Sequence, residues 1–207
     1  VNRYGPGRPA TKAELVRIRL ELSMAREGLS LLENKRDFLI KEGARQLGKA
    51  REKRLGLSRS WARLQEMWSD CLQMERRETL ERLAAKVAKM PPLEGGERRW
   101  MSVSIAEYSQ QGPKLALLGA FFDCGLRPER ARGALAAMLP ELVELMNLET
   151  NVRRIAMALK RCQRQVNALN YVILPELETE KKRIEQRLEE MEREALFQSK
   201  RLKARSH

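Results

Sequence analysis

The sequence predicts an all-α fold: a long antiparallel two-helix coiled-coil hairpin with a small central region of short helices and a possible β-hairpin. Three observations lead there. Apolar residues recur at alternating three and four spacing toward both ends of the 207-residue chain. Aromatic residues make up 5% and charged residues 33%, too few and too many for a large compact core, so an elongated shape is expected. Between the two striped regions, prolines and glycines break the pattern.

The first arm is read over residues 10–89. Leu15, Ile18, Leu22, Ala25, Leu29 and Leu32 form a narrow stripe, continued by Leu39 or Ile40, then Ala44 and Leu47. Such a stripe is a coiled-coil seam. A softer zone at Gly48 and Gly56, where the register is free to slip, precedes Trp61, Leu64, Trp68 and Cys71. With no proline between Thr11 and Lys89, a nearly continuous helix is allowed. About 60 residues would reach ~90 Å.

The central region, residues 90–134, opens with Pro91, Pro92, Gly95 and Gly96 and then alternates Met101, Val103 and Ile105 against Ser102 and Ser104. That alternation reads as one strand of a hairpin. The following stretch, from Lys114 to Met146, is apolar and interrupted by Gly and Pro, and predicts short helices or a partly buried turn region.

The second arm, residues 135–203, resumes the stripe as Leu145, Leu148, Val152, Ile155, Leu159, Cys162, Val166, Leu169 and Ile173. It continues past Pro175 as Leu177, Ile184, Leu188, Met191 and Leu202. Pro175 has no N–H to offer the Tyr171 carbonyl and is expected to kink the helix. Folding the arms back on each other pairs positions whose numbers sum to roughly 207, which puts residue 35 near the low 170s. Asn167 and Asn170 are read either as seam residues that penalise misregister or as an exposed flank.

Charge and cysteine usage bound the function. Lys and Arg number 41 against 28 acids, a formal charge of +13, so an acidic partner is expected: nucleic acid, an anionic membrane or an acidic protein surface. Cys71, Cys124 and Cys162 are odd in number and lack a CxxC pair, and read as reduced thiols used as small core residues. The single histidine is His207, so no His-based acid–base site or Cys/His zinc site can be assembled from these residues. No Gly-rich phosphate loop of the form G-x-x-x-x-G-K-[ST] is present, no apolar run approaches a membrane span, and the start lacks a hydrophobic signal core. A soluble, non-catalytic chain is expected, with no cofactor of its own. Trp61 and Trp68 are read as packing residues.

Three blocks carry a resemblance. "GLSLLENKRDFL" (28–39) has the form G-x-x-L-L-x-x-K-R-D-x-L, "RQVNALNYVILP" (164–175) the form R-R-V-N-A-L-E-x-V-x-I-P, and "EREALFQSK" (192–200) the form E-R-E-x-x-F-x-x-K. In this order they resemble the D subunits of the V-type (archaeal and vacuolar) rotary ATPases or ATP synthases. Gln165, Asn170 and Leu174 stand where that family has arginine, glutamate and isoleucine. Roughly residues 50–130 carry no motif of the family.

The resemblance implies a central-stalk rotor shaft, one copy per complex, with ATP bound by partner subunits. Its termini would lie in the bore of a hexamer of A and B subunits, while its other end would meet the F subunit and the protein capping the membrane rotor ring. This places it at the cytoplasmic face of a membrane, without insertion. It implies hexamer contacts at Lys35, Arg36, Asp37, Arg164, Gln165, Asn167, Lys200 and Arg201, although Lys35 to Asp37 also read as a solvated turn or as a cross-arm pair with Arg164. Contacts to the F subunit are expected at Trp100, Met101, Val103 and Ile105, because exposed strand edges invite partners. The seam is expected at Leu22, Leu29, Leu32, Leu39, Ile155, Leu159, Val166, Leu169 and Ile173, with a useful bend at Pro175. The competing reading is a basic coiled coil associated with nucleic acid, suggested by the charge and by "GPGRPATK".

Overall fold

The computed structural model describes residues 8–86, 92–110 and 126–205. Cys124, His207 and the stretch 111–125 lie outside the described residues. The chain is mostly helical with one small strand pair: α1 (Lys12–Met74), α2 (Arg77–Lys86), β1 (Glu94–Trp100), β2 (Val103–Ser109), α3 (Arg127–Ala168), a π-helical turn (Leu169–Ile173) and α4 (Leu174–Arg205).

Local chemistry explains the boundaries. Thr11 caps α1: its Oγ1 accepts from the Glu14 N–H at 3.2 Å, and an acid in the first turn also suits the helix dipole. α1 then runs unbroken through Gly48 and Gly56. It ends at Met74 without proline or glycine. The Arg76 carbonyl starts α2 by accepting from the N–H groups of Thr79 and Leu80. α3 opens with Pro128 in its first turn, where the missing N–H costs nothing. It then passes through Pro140, so the expected short helices are one helix from Arg127 onward.

Two compact units form, residues 1–38 with 159–207 and residues 39–158. In the first, Ile18, Leu22, Leu177 and Ile184 make a buried cluster flanked by Leu15, Ala25, Ile173, Leu174 and Leu188. Three ion pairs cross between the helices: Lys12 with Glu192 at 2.9 Å, Arg19 with Glu185 at 2.8 Å and Arg26 with Glu178 at 2.8 Å. Partner numbers fall as α1 numbers rise, so the helices run antiparallel in this unit. The numbers in each of these ion pairs sum to 204, close to the expected value of roughly 207, whereas the Cys162 thiol donates to the Leu32 carbonyl at 3.3 Å, a lower sum of 194. Met191 and Leu202 are exposed rather than seam residues. α1 starts at Lys12, opposite Glu192, so the turns of α4 beyond have no turn of α1 facing them.

In the second unit the buried positions of α1 are Leu39, Gln46, Ala50, Leu57, Leu64 and Cys71. Spacings of seven and four keep them on one stripe. Leu57 and Leu64 pack with Met138, flanked by Ala134 and Leu145. Ile40, Ala44 and Leu47 are exposed, and the stripe passes through Gly43 and Gln46 instead. Heptad phase, not apolarity, selects the buried positions. Trp61 and Trp68 are likewise about half exposed: each lies three residues before a buried position, roughly 60° around the helix. Cys71 is a free, buried thiol whose pKa burial pushes up.

Candidate functional site

The hairpin is built from β1 and β2 in antiparallel register, Glu94 opposite Ser109 through Trp100 opposite Val103. Met101 and Ser102 form its two-residue turn, both at positive φ (43° and 69°). That is the conformation of a type I′ turn, which Asn-Gly adopts with far less strain. Met101→Asn with Ser102→Gly is therefore expected to stabilise the hairpin by about 1 kcal/mol. Slower exchange of the cross-strand amides in hydrogen-exchange NMR would register it; unchanged exchange would count against the strain argument. Gly95 also sits at positive φ (115°), and a Cβ there would meet the Glu107 carbonyl oxygen at 2.2 Å. Only glycine fits.

The hairpin lies against α3 through side chains one and two turns apart. Asn151 Oδ1 accepts from the Ala106 N–H at 2.7 Å, and its Nδ2 donates to the Ala106 carbonyl at 3.2 Å. Asn147 Oδ1 accepts from the Tyr108 N–H at 3.2 Å, and its Nδ2 donates to the Tyr108 carbonyl at 2.6 Å. Arg154 donates to the Ser104 carbonyl at 3.0 Å and to Glu97 Oε1 at 2.5 Å. The Ser104 hydroxyl, then Arg154, holds the Glu97 carboxyl below its usual range. Glu97 thus stays ionised here at a pH where it would protonate in the unfolded chain. Its contribution is present above the ordinary glutamate pKa of about 4.3 and fades as pH falls through the lower folded value.

These contacts change the picture of the expected strand residues. Val103 and Ile105 are buried against their own chain, because their strand packs inward, so neither is surface for a partner. Trp100 is half-buried. Met101 is exposed, as a turn residue rather than a strand one. β1 is exposed along six of its seven residues. Its sequence, Glu-Gly-Gly-Glu-Arg-Arg-Trp, has no alternation by which it could have been found. Asn147 and Asn151 were equally hidden, since polar residues in an amphipathic helix ordinarily mark its wet face.

The residues named for hexamer contact all lie in the first unit. Arg36 pairs with its neighbour Asp37 (Nη2 to Oδ1, 2.9 Å), so Asp37 is held by Arg36 and not by Arg164. Arg164, Gln165 and Asn167 are exposed. Asn167 Oδ1 accepts from Gln163 Nε2 at 2.8 Å, and Asn170 is exposed as well, which puts both asparagines on the flank. Lys200 and Arg201 are exposed, with the Arg201 guanidinium 5.9 Å from the Phe197 ring centre. Leu22, Leu39, Ile155 and Val166 are buried; Leu29, Leu32, Leu159, Leu169 and Ile173 are half-buried.

Before Pro175 the helix widens. The Leu174 N–H bonds the Leu169 carbonyl, five residues back, and Leu169 to Ile173 form a π turn. Pro175 follows this turn within a continuous helix, where it has no N–H to bond a preceding carbonyl, and the Thr179 hydroxyl donates to the Pro175 carbonyl at 2.8 Å. The sequence block 164–175 therefore spans a change of helix type. Such turns recur at functional sites. Tyr171, in the turn, is 74% exposed.

Among the described residues, no group of three or more His, Cys, Asp or Glu side chains could hold a metal, and no helix is long and apolar enough to cross a membrane. The family of ATP synthase D subunits matches residues 14–204. The chain is 28% identical to the A-type ATP synthase D subunit of Methanoregula boonei over 198 residues, 94% of this chain and 95% of that one. It is 30% identical to the V-type ATP synthase D subunit of Thermus thermophilus over 198 residues, 94% of this chain and 87% of that one. It is 27% identical to the A-type ATP synthase D subunit of Archaeoglobus fulgidus, covering 93% and 94%. Nothing in these comparisons favours the nucleic-acid reading of the basic charge. Matched over nearly its whole length, and carrying its three sequence blocks on α1, on the π turn and on α4, the chain belongs to the family of ATP synthase D subunits, the non-catalytic central-stalk rotor subunits of the A- and V-type enzymes.

Proposed function

We propose that the chain is one elongated unit, an antiparallel two-helix coiled-coil hairpin with arms over 10–89 and 135–203 and a central region between them. It works as the shaft of the stalk, present once per complex at the cytoplasmic face of a membrane. Its ends turn in the bore of an A/B hexamer. The central region meets the F subunit and the protein capping the membrane ring. The observation that carries this reading is the antiparallel zipper of Lys12–Glu192, Arg19–Glu185 and Arg26–Glu178 around a narrow apolar cluster. A shaft needs such a charged exterior, which slides past a ring of partners without one deep minimum.

Lys35, Arg36, Asp37, Arg164, Gln165, Asn167, Lys200 and Arg201 are the proposed bore contacts. For the F subunit the proposal narrows to Met101 and Trp100 with the exposed strand β1. The change of helix type ahead of Pro175 supports a local bend, which would press on one side of the bore at a time. Pro175→Ala is expected to lower the ions moved per ATP, and an unchanged ratio in the reassembled complex would remove the bend from this reading. The whole reading is tested by tagged pull-down from gently solubilised, nuclease-treated membranes with mass spectrometry. Co-purification of A, B and F subunits supports it. Their absence, with binding that disappears on nuclease treatment, would sink it.

A further inference from the structure

The ladder between α3 and β2 does more than satisfy polar groups. Asn147, Asn151 and Arg154 stand at i, i+4 and i+7 on one helix face, and they meet Tyr108, Ala106 and Ser104, every second residue of β2. Four helical residues rise about 6 Å and two strand residues about 6.8 Å, so the two repeats nearly coincide. The asparagine amides imitate a third strand: each offers one acceptor and one donor to a single residue's N–H and C=O. Arg154 extends the ladder across the pair to Glu97 of β1. Asn151 is 6% exposed, so its amide is committed to this contact.

A strand pair attached only by its two chain ends would swing when pushed. Here the outer edge of β2 is occupied along three consecutive outward-facing residues. By the alternation of an antiparallel pair, the remaining outward groups are those of Gly95, Glu97 and Arg99 on β1. A partner that pairs with the hairpin as an added strand therefore does so at β1, on the side away from the ladder. We propose that Asn147, Asn151 and Arg154 are positioning residues that clamp the hairpin to α3, so that force on the hairpin from a stalk partner is delivered to the shaft helix. This role rests on the central-stalk reading above.

The test has two parts. In the full chain, hydrogen exchange reads each rung alone: Asn147→Ala is expected to speed exchange of the Tyr108 amide, and Asn151→Ala that of Ala106, each roughly tenfold or more. Amides of the first unit should keep their wild-type rates. Asn147→Asp retains the acceptor for the Tyr108 N–H and loses the donor, so its exchange should fall between wild type and alanine. In the ATP synthase complex reassembled around the full chain, Asn147→Ala with Asn151→Ala is expected to move at least about twofold fewer ions per ATP, and Asn147→Asp to give an intermediate ratio.

Freed amides with an unchanged ion-to-ATP ratio would overturn the clamp, as would wild-type exchange in the alanine variants. Failure of the wild-type chain to restore coupled transport would instead remove the stalk reading, and this role with it.

Discussion

Ile155→Ala is expected to destabilise the second unit by about 3 kcal/mol. Ile155 is 1% exposed, and a Cβ built on Gly43 would stand 3.3 Å from its Cγ2. The truncation removes buried methyl and methylene groups, and Gly43 has no side chain that could fall into the space. Urea unfolding should show a lower midpoint at unchanged slope. A loss under about 1 kcal/mol would mean that the helices close up around the cavity. A second substitution sharpens the argument. Gly43→Ala alone adds helix propensity but presses on Ile155, whereas in the Ile155→Ala background the new methyl has room. The pair should therefore couple, with the double variant recovering part of the loss.

Gly48→Ala with Gly56→Ala is expected to stabilise the chain by about 2 kcal/mol. Both glycines lie inside α1, are exposed, and would carry a Cβ that meets nothing within 4 Å. Each substitution removes backbone freedom from the unfolded chain at no steric cost. Eight residues separate the sites by about 12 Å, so the gains should add. Thermal unfolding of the single and double variants checks this. No gain from either would show that the unfolded ensemble is already restricted there.

Burial in the second unit also exposes a polar exception. Gln46 lies on the buried stripe of α1 at 7% exposure, with Nε2 donating to Glu42 at 2.8 Å. Glu42 is held below the usual carboxylate range first by Arg45. A buried amide in a seam penalises misaligned pairings. Asn167 and Asn170, whose sequence context suits that role equally well, are both on the outside.

The residues legible in advance were those whose signal is local. Three-and-four spacing marks a helix wherever it occurs, and it was readable from Leu15 through Leu32 and from Leu145 through Ile173. Strand alternation at Val103 and Ile105 was readable for the same reason. The family blocks needed only side-chain order along one chain. Where the seam passes Gly43 and Gln46, apolarity pointed one residue away, to Ala44 and Leu47. The partner helix, not hydropathy, decides which position faces inward. Trp61 and Trp68 differ in the same way: their spacing with Leu64 and Cys71 suggested the stripe, and they are about half exposed.

By itself the sequence determined that this protein is mostly helical, that its helices carry a narrow apolar stripe under a charged surface, and to which family it belongs. These follow from period, composition and motif order, which a single chain contains in full. Only the tertiary structure decided that Glu94 to Trp100 pairs with β2, that Asn147 and Asn151 are used as a strand edge, and that a π turn receives Pro175. Each depends on backbone N–H and C=O groups finding partners. Those groups are the same at nearly every residue, so side-chain identity gives no sign of where they will meet.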